Sequence, residues 1–129
     1  MSRLSLFALA VIAAVTLALA PGAAATTPAQ TCTTTSPAVV GGKVEGKLTS
    51  SNVDPVQARF ATCKQAKKVM TRTTELGLEE PRAVAAFYCR PTVSPLYPNT
   101  VSYICTFRGA DTATFIRLTF KVRYKGDQG

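Results

Sequence analysis

The sequence predicts an α+β domain: one α-helix packed on an antiparallel sheet of about four strands, stabilised by disulfides. Three observations carry that expectation. FIRLTFKVRY (residues 115–124) alternates, with Ile116, Leu118, Phe120, Val122 and Tyr124 on one side and Phe115, Arg117, Thr119, Lys121 and Arg123 on the other. That is the period of a half-exposed antiparallel strand. From Cys63 the period becomes helical: Cys63, Ala66, Val69 and Met70 fall on one face, and Lys64, Lys67, Lys68 and Arg72 on the other. Four cysteines, none in a C-x-x-C pair, lie downstream of an export-type leader. In an oxidising compartment they read as two disulfides.

The leader is MSRLSLFALAVIAAVTLALAPGAAA. Arg3 supplies a basic start, residues 4–20 are apolar apart from Ser5 and Thr16, and Pro21-Gly22 precedes the small residues Ala23-Ala24-Ala25. This is the pattern of a signal peptide cleaved after Ala25. The apolar run is short for a membrane span of about 20 residues. Cys32, the first cysteine, lies away from the cut, so no lipid anchor is expected. The expected organisation is a signal peptide over 1–25, a Thr/Pro-rich extended arm over 26–42, a single α+β domain over 43–125 and a tail over 126–129. The product is expected to be secreted, extracellular and without a transmembrane segment.

Each element follows from local pattern. TTPAQTCTTTSPA (26–38) has almost no large apolar group and reads as a poorly ordered segment pinned at Cys32. Gly41-Gly42 marks a turn. KVEGKLT (43–49) sets Val44, Gly46 and Leu48 against Lys43, Glu45, Lys47 and Thr49, a strand with one wet face. Val56, Ala58 and Phe60 then alternate as a short strand, and Thr62-x-x-Gln65 forms a capping box that opens the helix. A longer helix starting at Asp54-Pro55 is the rival reading. Gly77 is a natural helix stop.

AVAAFYCR (83–90) reads as one strand, with Val84, Ala86 and Tyr88 on one side and Ala85, Phe87 and Cys89 on the other. Pro91, Pro95 and Pro98 punctuate the link to VSYICTFR (101–108), where Val101, Tyr103, Cys105 and Phe107 share a face. RGADTA (108–113) turns that strand into the last one as a hairpin. Cys63 on the inner face of the helix and Cys105 in mid-strand favour Cys63–Cys105 with Cys32–Cys89. The rival pairing is Cys32–Cys63 with a Cys89–Cys105 bridge across the hairpin.

ATCKQAKKVM (61–70), FYCR (87–90), SYICTFRG (102–109) and the closing strand (115–122) together resemble small secreted cysteine-containing proteins of actinobacteria, a largely uncharacterised group. Those proteins combine a signal peptide, a Cys-x-x-Ala-x-x-Val helix and a cysteine-bearing hairpin. The resemblance spans residues 60–124 and implies export and fold, with no activity. Cys32 and the Thr-rich arm depart from that pattern.

The chain has no histidine, which removes Ser–His, Cys–His and His-metal sites and the commonest general base. Its 7 acids, Glu45, Asp54, Glu75, Glu79, Glu80, Asp111 and Asp127, fall mostly in turns and ends. The expectation is therefore a protein that is not an enzyme, with no catalytic residue, cofactor or metal, acting as a secreted binding or inhibitory module.

Two surfaces are candidates. TVSPLYPNT (92–100) holds Leu96 and Tyr97 between prolines, where little entropy is lost on binding a protein partner. The formal net charge of +8 offers the alternative, a basic face of Lys64, Lys67, Lys68, Arg72, Arg117, Lys121 and Arg123 for an anionic cell-envelope polymer or lipid. Nucleic acid is disfavoured as a partner, because Phe115 is the one aromatic seen on the basic strand face.

Overall fold

Period-two alternation sets the architecture. The structure, a computed structural model, describes residues 26–108 and 113–126. Six strands form one antiparallel sheet: β1 (Thr26–Thr35), β2 (Lys43–Ser51), β3 (Arg82–Val84), β4 (Phe87–Val93), β5 (Thr100–Arg108) and β6 (Phe115–Arg123). Their spatial order is β1-β2-β6-β5-β4-β3. One helix, α1 (Cys63–Leu76), covers one face of this sheet, preceded by a short 3-10 turn at Ala58–Ala61.

Strand makes up 49% and helix 19% of the described residues. The α+β expectation of about four strands is thus corrected to a sheet-dominated fold of six strands under one helix. One extra strand comes from the segment read as a poorly ordered arm. Residues 26–35 are β1, paired with β2 from Thr26↔Ser51 to Thr35↔Lys43, with one irregularity between Thr27 and Gln30. Threonine is β-branched and suits an extended backbone. An edge strand needs little apolar surface, and here Cys32 supplies the deeply buried side chain.

The other extra strand comes from the run at 83–90, which breaks at Ala85-Ala86 into the β3–β4 hairpin. Ala85 takes the left-handed backbone of a tight hairpin turn, with φ 52°. The turn resets the alternation, so Val84, Phe87 and Cys89 share the buried face while Tyr88 points the other way.

Val56, Ala58 and Phe60 do not form a strand. The Asp54 carboxylate accepts a hydrogen bond from Gln57 N (2.8 Å) and closes a local turn. The chain then passes through the 3-10 turn, and Phe60 stacks on Phe107 with ring centroids 4.7 Å apart. The helix starts where the capping pattern indicates: Thr62 Oγ1 accepts from Gln65 N at 3.4 Å. It ends at Gly77, whose φ of 56° is left-handed and whose N–H bonds Thr73 O.

The core lies between α1 and the sheet. Ala66, Val69, Met70, Thr73 and Thr74 face Val44, Leu48, Cys89, Tyr103, Cys105, Leu118 and Phe120. Met70 of the helix packs directly over Gly46, where a Cβ would lie 2.5 Å from Met70 Sδ and 3.1 Å from Leu118 Cδ1. A side chain there would overpack a filled interior.

Two disulfides fasten this arrangement. Cys32 on β1 bonds Cys63, the first residue of α1, and Cys89 bonds Cys105, its direct partner in the β4–β5 register. The favoured pairing, Cys63–Cys105 with Cys32–Cys89, is therefore corrected to the rival one. An arm left free of the sheet gave no reason to set Cys32 beside the helix start, whereas β1 places it there. Closing loops with sequence separations of 31 and 16 residues stabilises each by about 3–4 kcal/mol in the chain-entropy account, the longer loop by more.

The far end of α1 is held by two phenols. Tyr124 donates to Thr74 O at 3.2 Å, one of the helix-end carbonyls without an intrahelical partner. Tyr103 in turn hydrogen-bonds Tyr124, O to O 2.7 Å. Since the Tyr124 proton is engaged, Tyr103 is the donor of that bond. Tyr103 ionises well above the usual phenol range, first because it is buried and then because its proton is held by Tyr124. Tyr124 is raised by burial, partly offset by the hydrogen bond it accepts.

Residues 1–25, expected from sequence to be a signal peptide, residues 109–112 of the expected hairpin turn and residues 127–129 of the expected tail lie outside the described residues. No helix among the described residues is long and apolar enough to cross a membrane.

Both phenols keep their protons more tightly folded than unfolded, so their contribution is present below the unfolded pKa of about 10 and lost as pH rises beyond it. Thermal melts of the oxidised protein are expected to show Tm falling above about pH 10. The decline should be shallower in a Tyr103→Phe/Tyr124→Phe variant, and an equal decline would show that the pair does not couple ionisation to folding.

Candidate functional site

With α1 on one face, the other face of the sheet carries no element among the described residues. Alternation determines what it presents. In β6 the inward set Ile116, Leu118, Phe120 and Val122 forces Arg117, Thr119, Lys121 and Arg123 outward. In β2, burial of Val44, Gly46, Leu48 and Ser50 forces Lys43, Glu45, Lys47 and Thr49 outward. The same rule in β5 and β4 brings out Ser102, Ile104, Thr106, Tyr88, Arg90 and Thr92.

Among the described side chains this open face holds six exposed cations, Lys43, Lys47, Arg90, Arg117, Lys121 and Arg123, against one exposed acid, Glu45. Threonines separate many of them: Lys47 donates to Thr31 Oγ1 at 2.7 Å, and Thr49 Oγ1 donates to Arg117 O at 3.4 Å. Two rings lie among the cations. The Arg117 guanidinium sits 4.9 Å from the Phe115 ring centre, and that of Arg90 sits 5.6 Å from the centre of Tyr88. Tyr88 is 46% exposed and Ile104 43%, which makes them the large apolar groups offered to solvent on this face.

Near the β3–β4 turn the face sinks into a shallow cleft of about 660 Å³, bordered by Ala83, Ala86, Tyr88, Arg90, Ile104 and Arg117. Small side chains at the turn leave this space unfilled.

The seven basic residues singled out from sequence are not one surface. Arg117, Lys121 and Arg123 belong to the open sheet face. Lys64, Lys67, Lys68 and Arg72 lie on the outer side of α1, across the molecule, where Arg72 pairs with Glu75 at 3.8 Å. The expected single basic face is corrected to two, because the helix covers the face of β6 opposite its arginines.

Sequence reasoning missed Tyr88, Arg90 and Ile104 as members of the sheet face. The signal was present in FYCR, where Phe87 and Cys89 alternate with Tyr88 and Arg90, but carrying the alternation through the Ala85-Ala86 turn obscured it.

Leu96 and Tyr97 project from the β4–β5 loop, 81% and 66% exposed. The base of that loop is fixed: Ser94 N bonds Thr100 O, Thr100 N bonds Tyr97 O, and Tyr97 N bonds Ser94 Oγ. The tip is thus presented and does not fold back on the core. A Leu96→Ala/Tyr97→Ala variant is expected to keep the wild-type Tm to within the equivalent of about 0.5 kcal/mol. A clear drop in a calorimetric scan would show that the tip packs on the domain.

All four cysteines are in disulfides. Among the described residues no three His, Cys, Asp or Glu side chains gather where they could hold a metal ion. Compared with known proteins, the chain matches no family model, no curated protein and no solved structure.

Proposed function

We propose that this small disulfide-stabilised protein is a secreted, non-catalytic binding module whose open sheet face takes an anionic polymer of the cell envelope. The observation that carries the reading is the uncovered face itself, which among the described side chains presents six cations and one acid on one sheet. Like charges held at strand spacing create a field that attracts polyanions and resists self-association. The leader, the two disulfides and the likeness to secreted actinobacterial proteins support export, because disulfides persist in oxidising compartments.

A polymer suits this face better than a lipid bilayer. Among the described residues, only Tyr88 and Ile104 of the exposed large apolar side chains lie on it, and interfacial anchoring needs a broader apolar surface. A second reading rests on the exposure of Leu96 and Tyr97, which would seat a protein partner on the β4–β5 loop.

Retention of the protein on immobilised polyanion, measured against salt, tests the proposal. Binding is expected at low ionic strength and release at several tenths molar salt, where charges are screened within about 3–8 Å. Arg117→Glu/Lys121→Glu should abolish retention, while Lys67→Glu/Lys68→Glu on the helix should leave most of it. Salt-resistant retention that is lost in Leu96→Ala/Tyr97→Ala would replace this reading with the protein-partner one.

A further inference from the structure

We infer that the cleft beside the β3–β4 turn is a binding site for one anionic sugar unit, a sugar ring bearing a carboxylate or phosphate. The site rests on the reading of the open face as a polyanion surface and assigns the chemistry of its most structured part.

The register defines the site. Tyr88 on β4 lies opposite Thr106 on β5, which lies opposite Arg117 on β6. Arg90, two residues along β4 from Tyr88, lies opposite Ile104. With neighbouring strands about 4.8 Å apart, Tyr88 and Arg117 flank a gap of about 10 Å, and Arg90 sits about 7 Å from Tyr88 along the strand. Thr106 and Ile104 form the floor between them. Ala83 and Ala86 leave the turn side open, so the cleft of about 660 Å³ has room for a ring of hexose size.

The side chains match the two halves of such a ligand. Tyr88 is 46% exposed, and the side of its ring away from Arg90 can stack on the apolar face of a sugar ring, with Ile104 extending that apolar contact. The Thr106 hydroxyl offers a hydrogen-bond partner to ring hydroxyls. Arg90 and Arg117 carry planar forks that grip a carboxylate or phosphate through two parallel bonds. Among the described residues neither is engaged in an ion pair and no acid lines the cleft. Their contacts with Tyr88 and Phe115 set the guanidinium groups against the sheet before any ligand arrives.

A nucleic-acid strand fits less well, since tracking it calls for successive free ring platforms. Here Arg117 lies over Phe115 and Arg90 over one side of Tyr88, so the face offers no row of uncovered rings.

Calorimetric titration of the oxidised protein tests the site with four probes: oligogalacturonate, a phosphorylated oligomannose, inorganic polyphosphate and a single-stranded oligonucleotide. One or both sugar probes are expected to bind more tightly than polyphosphate of equal charge. Tyr88→Ala should weaken the sugar probe by about fivefold to tenfold, the scale of one ring contact, and leave polyphosphate unchanged. Arg90→Gln should weaken both, and Lys67→Gln on the helix neither. Tyr88 is half-exposed and faces away from the core, so an unchanged Tm confirms that its variant is folded.

Competition by galacturonate or by glucose 6-phosphate identifies the anion as carboxylate or phosphate, and either supports the site. Equal binding of sugar and polyphosphate, both indifferent to Tyr88→Ala, would overturn the site while leaving the basic face as a polyanion surface. Tightest binding of the oligonucleotide, with loss in Tyr88→Ala, would overturn the sugar assignment. Failure of all four probes to bind would remove the site and the polyanion reading together.

Discussion

The position of α1 on one face of the sheet determines almost everything else about this molecule. Gly46 on β2 and Ala66 on the helix keep the two layers close, with Met70 filling the space where a larger residue at 46 would stand. Cys32–Cys63 ties the start of the helix to the edge strand, and Tyr124 ties its last turn to the C-terminal end of β6. Fastened at both ends, the helix covers the apolar face of β2, β6, β5 and β4 and leaves the opposite face to solvent.

The open face follows by the pleat of the strands. Once Ile116, Leu118, Phe120 and Val122 are committed to the core, Arg117, Lys121 and Arg123 have only the other side to occupy. Neighbouring strands add Lys43, Lys47 and Arg90 in register. Exposed charges of one sign contribute little to folding, and their mutual repulsion opposes it. Two disulfides and a buried phenol relay offset that cost without asking the open face to contribute apolar contacts. The anionic ligand proposed above would relieve that repulsion.

Much of this was legible in the sequence, and the failures share a cause. The alternation of β2, β5 and β6 is carried by large side chains and reads directly, as do Thr62 and Gly77 at the ends of α1. β1 was hidden because an edge strand is held by main-chain bonds and one cysteine, neither of which leaves an apolar pattern. β3 and β4 were merged because two alanines in a tight turn look like any other pair of strand residues, and the turn shifts the alternation by one. Without β1 the sequence offers no reason to pair Cys32 with Cys63, and without the β3–β4 turn it does not set Tyr88 and Arg90 beside Arg117. The spread of basic residues over two opposite surfaces lies beyond local pattern, because it depends on which face the helix covers.

The most direct test of a one-sided sheet acting as the binding surface is lysine acetylation read by mass spectrometry, with and without bound anionic oligosaccharide. Lys43, Lys47 and Lys121 stand on the open face, and Lys64, Lys67 and Lys68 on the outer side of the helix. Ligand is expected to protect the first three and leave the helix lysines as reactive as before. Protection of Lys64, Lys67 and Lys68, or equal protection of both sets, would contradict it.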